Sequence, residues 1–377
     1  MSILKNTIRS IKSHLANFPG WRTQRKIVVF ESDDWGSIRT PSKEALEKLK
    51  KEGLAVEKCK YMMNDALETP EELFKLYEVL QSVTDSKGRP ACFTANTIVA
   101  NPDFERIRES NYKNYYYEPF TKTYLRTKKT ENSFAAFQEG MAHRLFQPQL
   151  HGREHVNISR WMRDLQKGVE ETRLGFDYSM TGISAHVTNT HRGSYQSALD
   201  GGVNELMYDP AAISAEGAQV FEKVFGFPSV SFIAPNYVWS EQVEEAMHKA
   251  GVKYLQGTTT QRLPSDFGEK RGLKRHYLGQ KNRNGQYYLN RNASFEPTLD
   301  GRSNAVANCM KQVRRSFLWG KPAMISTHRV NYIDRLNKEN GEQNRVLLRQ
   351  LLSDITKRWP QVEFMTTDEL GSLISES

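Results

Sequence analysis

Cysteine is scarce. Cys59, Cys92 and Cys309 are the only three in 377 residues, far apart and in no C-x-x-C pair. This argues against a disulfide framework and suits a reducing compartment. Long apolar runs are missing too. Nothing nears the roughly 18 residues that would suggest a membrane-spanning helix. The opening "MSILKNTIRSIKSHLANF" lacks the apolar stretch and small-residue cleavage site of a secretory signal, so a cytoplasmic location is expected. No internal repeat, low-complexity tract or nucleic-acid-binding signature is present, and no nucleic-acid partner is expected.

The composition fits a globular protein with a sizeable core, at 38% hydrophobic residues and 11% aromatics. Lys and Arg exceed Asp and Glu by 9, a balance that permits an anionic partner without choosing one. Ile3, Leu4, Ile8, Ile11, Leu15 and Phe18 fall at helical spacing with Lys5, Arg9 and Lys12 between them. This predicts a helix packed on the domain, with weak contact to a membrane surface as the other reading.

Seven segments read as buried strands: 26–32, 90–96, 147–151, 229–234, 252–256, 322–328 and 361–366. Helical patterns lie between them at 41–52, 70–83, 157–174, 214–225, 239–250, 303–318 and 341–358. Such alternation predicts parallel strands joined by crossovers, and seven units suggest a barrel or distorted barrel in one α/β domain, 1–377. Two stretches break the rhythm, 104–146 with its "NYKNYYYEPF" and 257–300, rich in Arg, Asn, Gly and Tyr. Both read as insertions over the barrel mouth, as a solvated cover or as an aromatic wall that grips substrate.

Parallel barrels carry reactive residues at the carboxyl ends of their strands. There the sequence places Asp33 and Asp34, then His151 and His155 in "HGREH", and His328 in "STHRVNY". If a helix starts at His151, the two imidazoles share a face and can share a cation. A nearby carboxylate, Asp34 or Asp33, completes a set of two His and one Asp with open positions.

These motifs resemble the polysaccharide deacetylase family, carbohydrate esterase family four. The resemblance runs in order through "FESDDW", "PACFTAN", "HGREH", "FIAPNYVW", "MISTH" and "VEFMTTDEL" over most of the chain. It implies a deformed (β/α) barrel and metal-dependent removal of an N- or O-acetyl group from a carbohydrate. It assigns Asp33 as general base, His328 as general acid, and Asp34, His151 and His155 as ligands of one divalent metal, usually zinc. Trp35, Asn236, Tyr237 and Trp239 would face the substrate, with the backbone N–H near Asn236 meeting the oxyanion.

The third motif of that family usually begins with Arg, where this chain has Ile233. The Ser or Thr of H-(S/T)-x-x-H is Gly152, and the fourth motif's Asp, expected near "YLQGTT", is absent. Arg329, at a strand end beside His328, is the expected substitute for the lost cation near Asp33. Two other readings stand beside this one. "HGREH" also fits the inverted zinc-peptidase motif H-x-x-E-H, with Glu154 as base. A non-catalytic glycan-binding protein on the same fold is the other.

Overall fold

The computed structural model describes residues 19–377. The segment expected to form a basic N-terminal helix lies outside the described residues. Nine strands form one sheet: β1 (Lys26–Trp35), β2 (Phe93–Thr97), β3 (Phe146–Leu150), β4 (Ser231–Ile233), β5 (Tyr254–Gly257), β6 (Tyr287–Asn290), β7 (Ala293–Ser294), β8 (Ala323–His328) and β9 (Val362–Met365). Every pairing within it is parallel. Strands buried on both faces need apolar residues at successive positions, which explains "KIVVF" in β1. Ile27 and Val29 pack inward with Leu289 and Met324. Val28 and Phe30 pack outward in the cluster that includes the flanking helices.

The sheet closes on itself through a strand that changes partners. β6 pairs with β5, and two residues later β7 pairs with β8. At the junction, the Arg291 N–H donates to Gly257 O (2.7 Å) and the Asn292 N–H donates to Met324 O (3.1 Å). Seven chain segments thus surround the barrel: β1, β2, β3, β4, β5, β6–β7 and β8. The number agrees with expectation but the membership does not. The strand expected at 361–366 is β9, which pairs only with the first residues of β1, Lys26–Val29. Its place in the ring goes to 287–294, inside a stretch expected to be an insertion. Asn290, Arg291 and Asn292 interrupt that segment's apolar pattern, so it does not look like a buried strand.

Helices cover the outside. Pro70–Gln81 opens with a Thr69–Glu72 capping box and Pro70 in its first turn. With Ser133–Ala142, Ala305–Leu318 and Lys338–Arg358 it shares one apolar cluster with β1, β2 and β8. Pro210–Phe225 and Glu241–Lys249 cover β3, β4 and β5. The helix expected over 157–174 is two, Ile158–Gln166 and Glu170–Asp177, broken near Gly168. Tyr112 and Tyr115 of the aromatic segment pack against Phe176 and Trp161. They form a cluster in the protein and not a solvated cover. No described helix is long and apolar enough to cross a membrane.

Candidate metal centre

Adjacent residues of a regular strand face opposite sides of a sheet. Ile27, Val29, Glu31 and Asp33 share the inward parity of β1, which would send Asp34 outward. A register shift between Ser32 and Trp35 against β2 breaks the alternation, and Asp34 takes φ +76°. Asp tolerates this left-handed region better than most residues. The bulge therefore brings two consecutive carboxylates to the same mouth.

His151 and His155 arrive without a helix, contrary to expectation. The backbone of 151–153 is held by the strand next door: the His151 N–H donates to Thr97 O (2.9 Å), and Arg153 O accepts from the Ala100 N–H (2.7 Å). Gly152 sits at φ +117°, a conformation open mainly to glycine. That accounts for Gly where the resembled motif has Ser or Thr. The next helix begins at Ile158, capped by the Asn157 side chain.

Both imidazoles turn toward one oxygen. His151 Nε2 lies 3.4 Å and His155 Nε2 3.3 Å from Asp34 Oδ1. His151 Nδ1 lies 2.9 Å from the Ile233 carbonyl, a contact in which Nδ1 is the donor, and Nε2 is the ring nitrogen turned toward the carboxylate. Burial pushes the His155 pKa down to about 3, against the attraction of Asp34, so that ring is neutral. Burial alone would raise Asp34, but the Arg39 guanidinium holds it well below the usual carboxylate range. All three groups are buried, and Asp34 Oδ1 has no hydrogen-bond partner. Three acceptors converging on one point in a buried site repel each other unless a cation joins them. The Asp34–His151–His155 group fits a metal ion.

Asp33 faces a different partner. Arg291 grips it in a fork, Nη1 to Oδ2 at 2.7 Å and Nη2 to Oδ1 at 2.6 Å. Asn96 Nδ2 donates to Oδ1 as well (2.8 Å). Burial works to raise this carboxyl, and the Arg291 guanidinium overcomes it, holding the pKa at about 2. Nε of Arg291 donates to Glu31 Oε2 (2.6 Å), so one buried guanidinium serves two carboxylates. His328 Nε2 is 3.8 Å from Asp33 Oδ2. Its Nδ1 is 2.6 Å from Glu296 Oε1, while Asn331 Nδ2 donates to Glu296 Oε2 (2.7 Å). Burial opposes the imidazolium, but Glu296, then Asp33 and Asp34, raise the His328 pKa to about 10.

Three expected residues stand elsewhere. Arg329 is fully buried and donates to Asp65 (3.0 Å) and Glu68 (2.7 Å), not to Asp33. Two deep carboxylates hold it, and Arg291 fills the role assigned to it. Trp35 lies in the core, edge-on to Phe146, with its indole N–H on Ser32 Oγ (3.0 Å). Replacing Trp35 with Ala should cost about 3–5 kcal/mol of stability by chemical denaturation. A loss confined to substrate affinity would contradict that placement. Trp239 is also buried, with its indole N–H on Glu244 Oε1 (2.9 Å). Asn236 and Tyr237 do face the site. They line a cavity of about 800 Å³ together with Asp33, Asp34, His151, His155 and His328.

Sequence reading missed Arg291, Glu296 and the segment 180–196, which forms one cavity wall. Arg291 and Glu296 flank β7 in "RNASFE" and had no motif to mark them. No protein-family model matches the chain, and no curated protein matches it. Among solved structures, a chain assigned as a polysaccharide deacetylase from Mycobacterium smegmatis is 8% identical, with a TM-score of 0.43, covering 95% of this chain and 93% of that one. One assigned as a polysaccharide deacetylase from Pseudomonas aeruginosa PAO1 is 8% identical, TM-score 0.41, covering 93% and 90%. Puue allantoinase is 8% identical, TM-score 0.41, covering 95% and 92%. These likenesses assign the chain neither a family nor an activity.

Proposed function

We propose that this protein is a metal-dependent hydrolase that removes an N- or O-acetyl group from a carbohydrate. The observation that carries the reading is the buried Asp34–His151–His155 donor set, with Asp33 and His328 on the same cavity. Zinc suits a donor set of two imidazole nitrogens and one carboxylate oxygen. When bound, such a cation polarises a carbonyl and makes water more acidic. Asp33 takes the proton of the water that adds to the acetyl carbon. His328 gives its proton to the nitrogen or oxygen as the bond to the acetyl carbon breaks, releasing acetate and a free amine or hydroxyl. The backbone N–H at Asn236 is assigned to the developing oxyanion.

Arg291 and Glu296 supply the two charges that the motifs at "FIAPNYVW" and "YLQGTT" lack. This supports a catalytic protein over a glycan binder that has lost turnover. Glu154 has both oxygens on Arg153, at 2.6 Å each, and does not line the cavity. Glu154→Gln should therefore change acetate release by no more than roughly threefold, whereas a peptidase base would lose on the order of a hundredfold or more. The direct test is acetate release from acetylated sugars by zinc-loaded protein. It should stop on chelation and return with added zinc. No release from any acetylated sugar, or release indifferent to the chelator, overturns the reading.

The His328–Glu296 pair predicts an alkaline limit. Because Glu296 is the largest influence raising His328, the wild type keeps this proton until the pH passes about 10. In Glu296→Gln the falling limb of kcat/KM should move toward neutrality. A limb that does not move would separate the acid from His328. The same shift stabilises the fold fully below the ordinary imidazole pKa and is lost as pH rises through about 10.

A further inference from the structure

The wall built by residues 180–196 is oddly charged for a cavity whose floor holds two carboxylates. Among the described residues, Asp33 and Asp34 are the only acidic ones that line the cavity, and each faces a guanidinium of its own, Arg291 for Asp33 and Arg39 for Asp34. The wall adds Arg192 with His186 and His191, and no carboxylate. Asp266, next to Phe267 whose ring packs on His191 (4.9 Å between centroids), accepts from Asn204 Nδ2 (2.9 Å).

Arg192 is the exceptional cation. Its Nη1 donates to Gly193 O (3.3 Å), its Nη2 donates to Ile183 O, and its guanidinium lies 3.8 Å over the Tyr195 ring. Carbonyls and a ring face satisfy geometry without cancelling charge. Among the described residues no carboxylate pairs with it, and its Nε is buried with no hydrogen-bond partner. A partly buried guanidinium without a counter-ion, in a concave site, attracts an anion and focuses the field that guides one in. His186 and His191, both exposed, line the same cavity. Tyr61, Tyr237 and Phe267 offer aromatic faces to a sugar ring in the same space.

We propose that the cavity selects acetylated sugars that carry an anionic oxygen group, a phosphate or a carboxylate, and that Arg192 binds that group. This inference rests on the deacetylase reading and names its substrate class. The opposing interpretation is that Arg192 only staples the turn between Ile183 and Tyr195. A staple would affect charged and neutral sugars alike.

The experiment compares N-acetylglucosamine, its 1-phosphate and N-acetylmuramic acid, measuring acetate release and calorimetric binding with the full chain. The wild type should favour one or both charged sugars by at least roughly tenfold in kcat/KM, as expected for a charge-assisted hydrogen bond. The preference should sit in KM and shrink as salt rises. In Arg192→Gln the charged-to-neutral ratio should fall about tenfold, and Arg192→Lys should restore part of it. The phosphate and carboxylate arms show which anion is meant. Equal rates for neutral and charged sugars, or a ratio unmoved in Arg192→Gln, overturn the subsite. Tight binding of charged sugars without acetate release supports the subsite and overturns the deacetylase reading.

Discussion

Asp33→Asn should lower acetate release by about 10²- to 10⁴-fold while leaving the bound metal in place. The amide keeps the shape of the side chain and removes its affinity for a proton. Asp33 is not among the three converging donors, so metal content should not follow activity. The variant also sets an amide nitrogen against the Arg291 fork or leaves one of its donors unmatched. Its melting temperature must therefore be compared with the wild type. Activity lost in a well-folded, metal-loaded protein is the expected result. Near-normal activity would hand the base to another group.

The second large effect is on stability. Arg291→Met leaves Glu31 and Asp33 buried beside each other, Glu31 without its counter-ion and Asp33 with only His328 at 3.8 Å. Removing one partner of a buried ion pair costs about 3–5 kcal/mol. The pH dependence identifies the cause. Without Arg291 the native pKa of Asp33 should rise, as that of Glu31 already does through burial. The deficit should be full above those raised values and shrink as acid protonates the carboxyls. Denaturant titrations of wild type and variant across that range measure it. Adding Glu31→Gln to Arg291→Met should recover part of the loss. A deficit that is independent of pH would mean that Arg291 acts by packing.

Much of the barrel could be read from the chain because strands buried on both faces write themselves as apolar runs. "KIVVF" and "AMIS" are such runs. The closing strand was hidden because its inward positions carry the site's own polar groups. Arg291 stands where an apolar residue would have announced a strand. The carboxylate pair and the three histidines were legible from their places at strand ends. The geometry uniting them was not. A positive φ at Asp34 and another at Gly152 decide where those side chains point, and neither leaves a periodic trace. The cation for Asp33 was sought near His328 in sequence, and Arg329 was the nearest candidate. It failed because Asp65 and Glu68, more than 260 positions away, claim it. Trp35 and Trp239 were expected at the substrate from their places in the resembled motifs, yet both fill the packed interior.

The central claim is that Asp34, His151 and His155 hold one metal ion. Elemental analysis of purified wild type, Asp34→Ala and His155→Ala tests it without any knowledge of the substrate. The expected result is near-stoichiometric metal in the wild type and a sharp loss in both variants, each still folded by circular dichroism. Occupancy unchanged in both variants, or a wild type that takes up no divalent metal when offered it, would contradict the account.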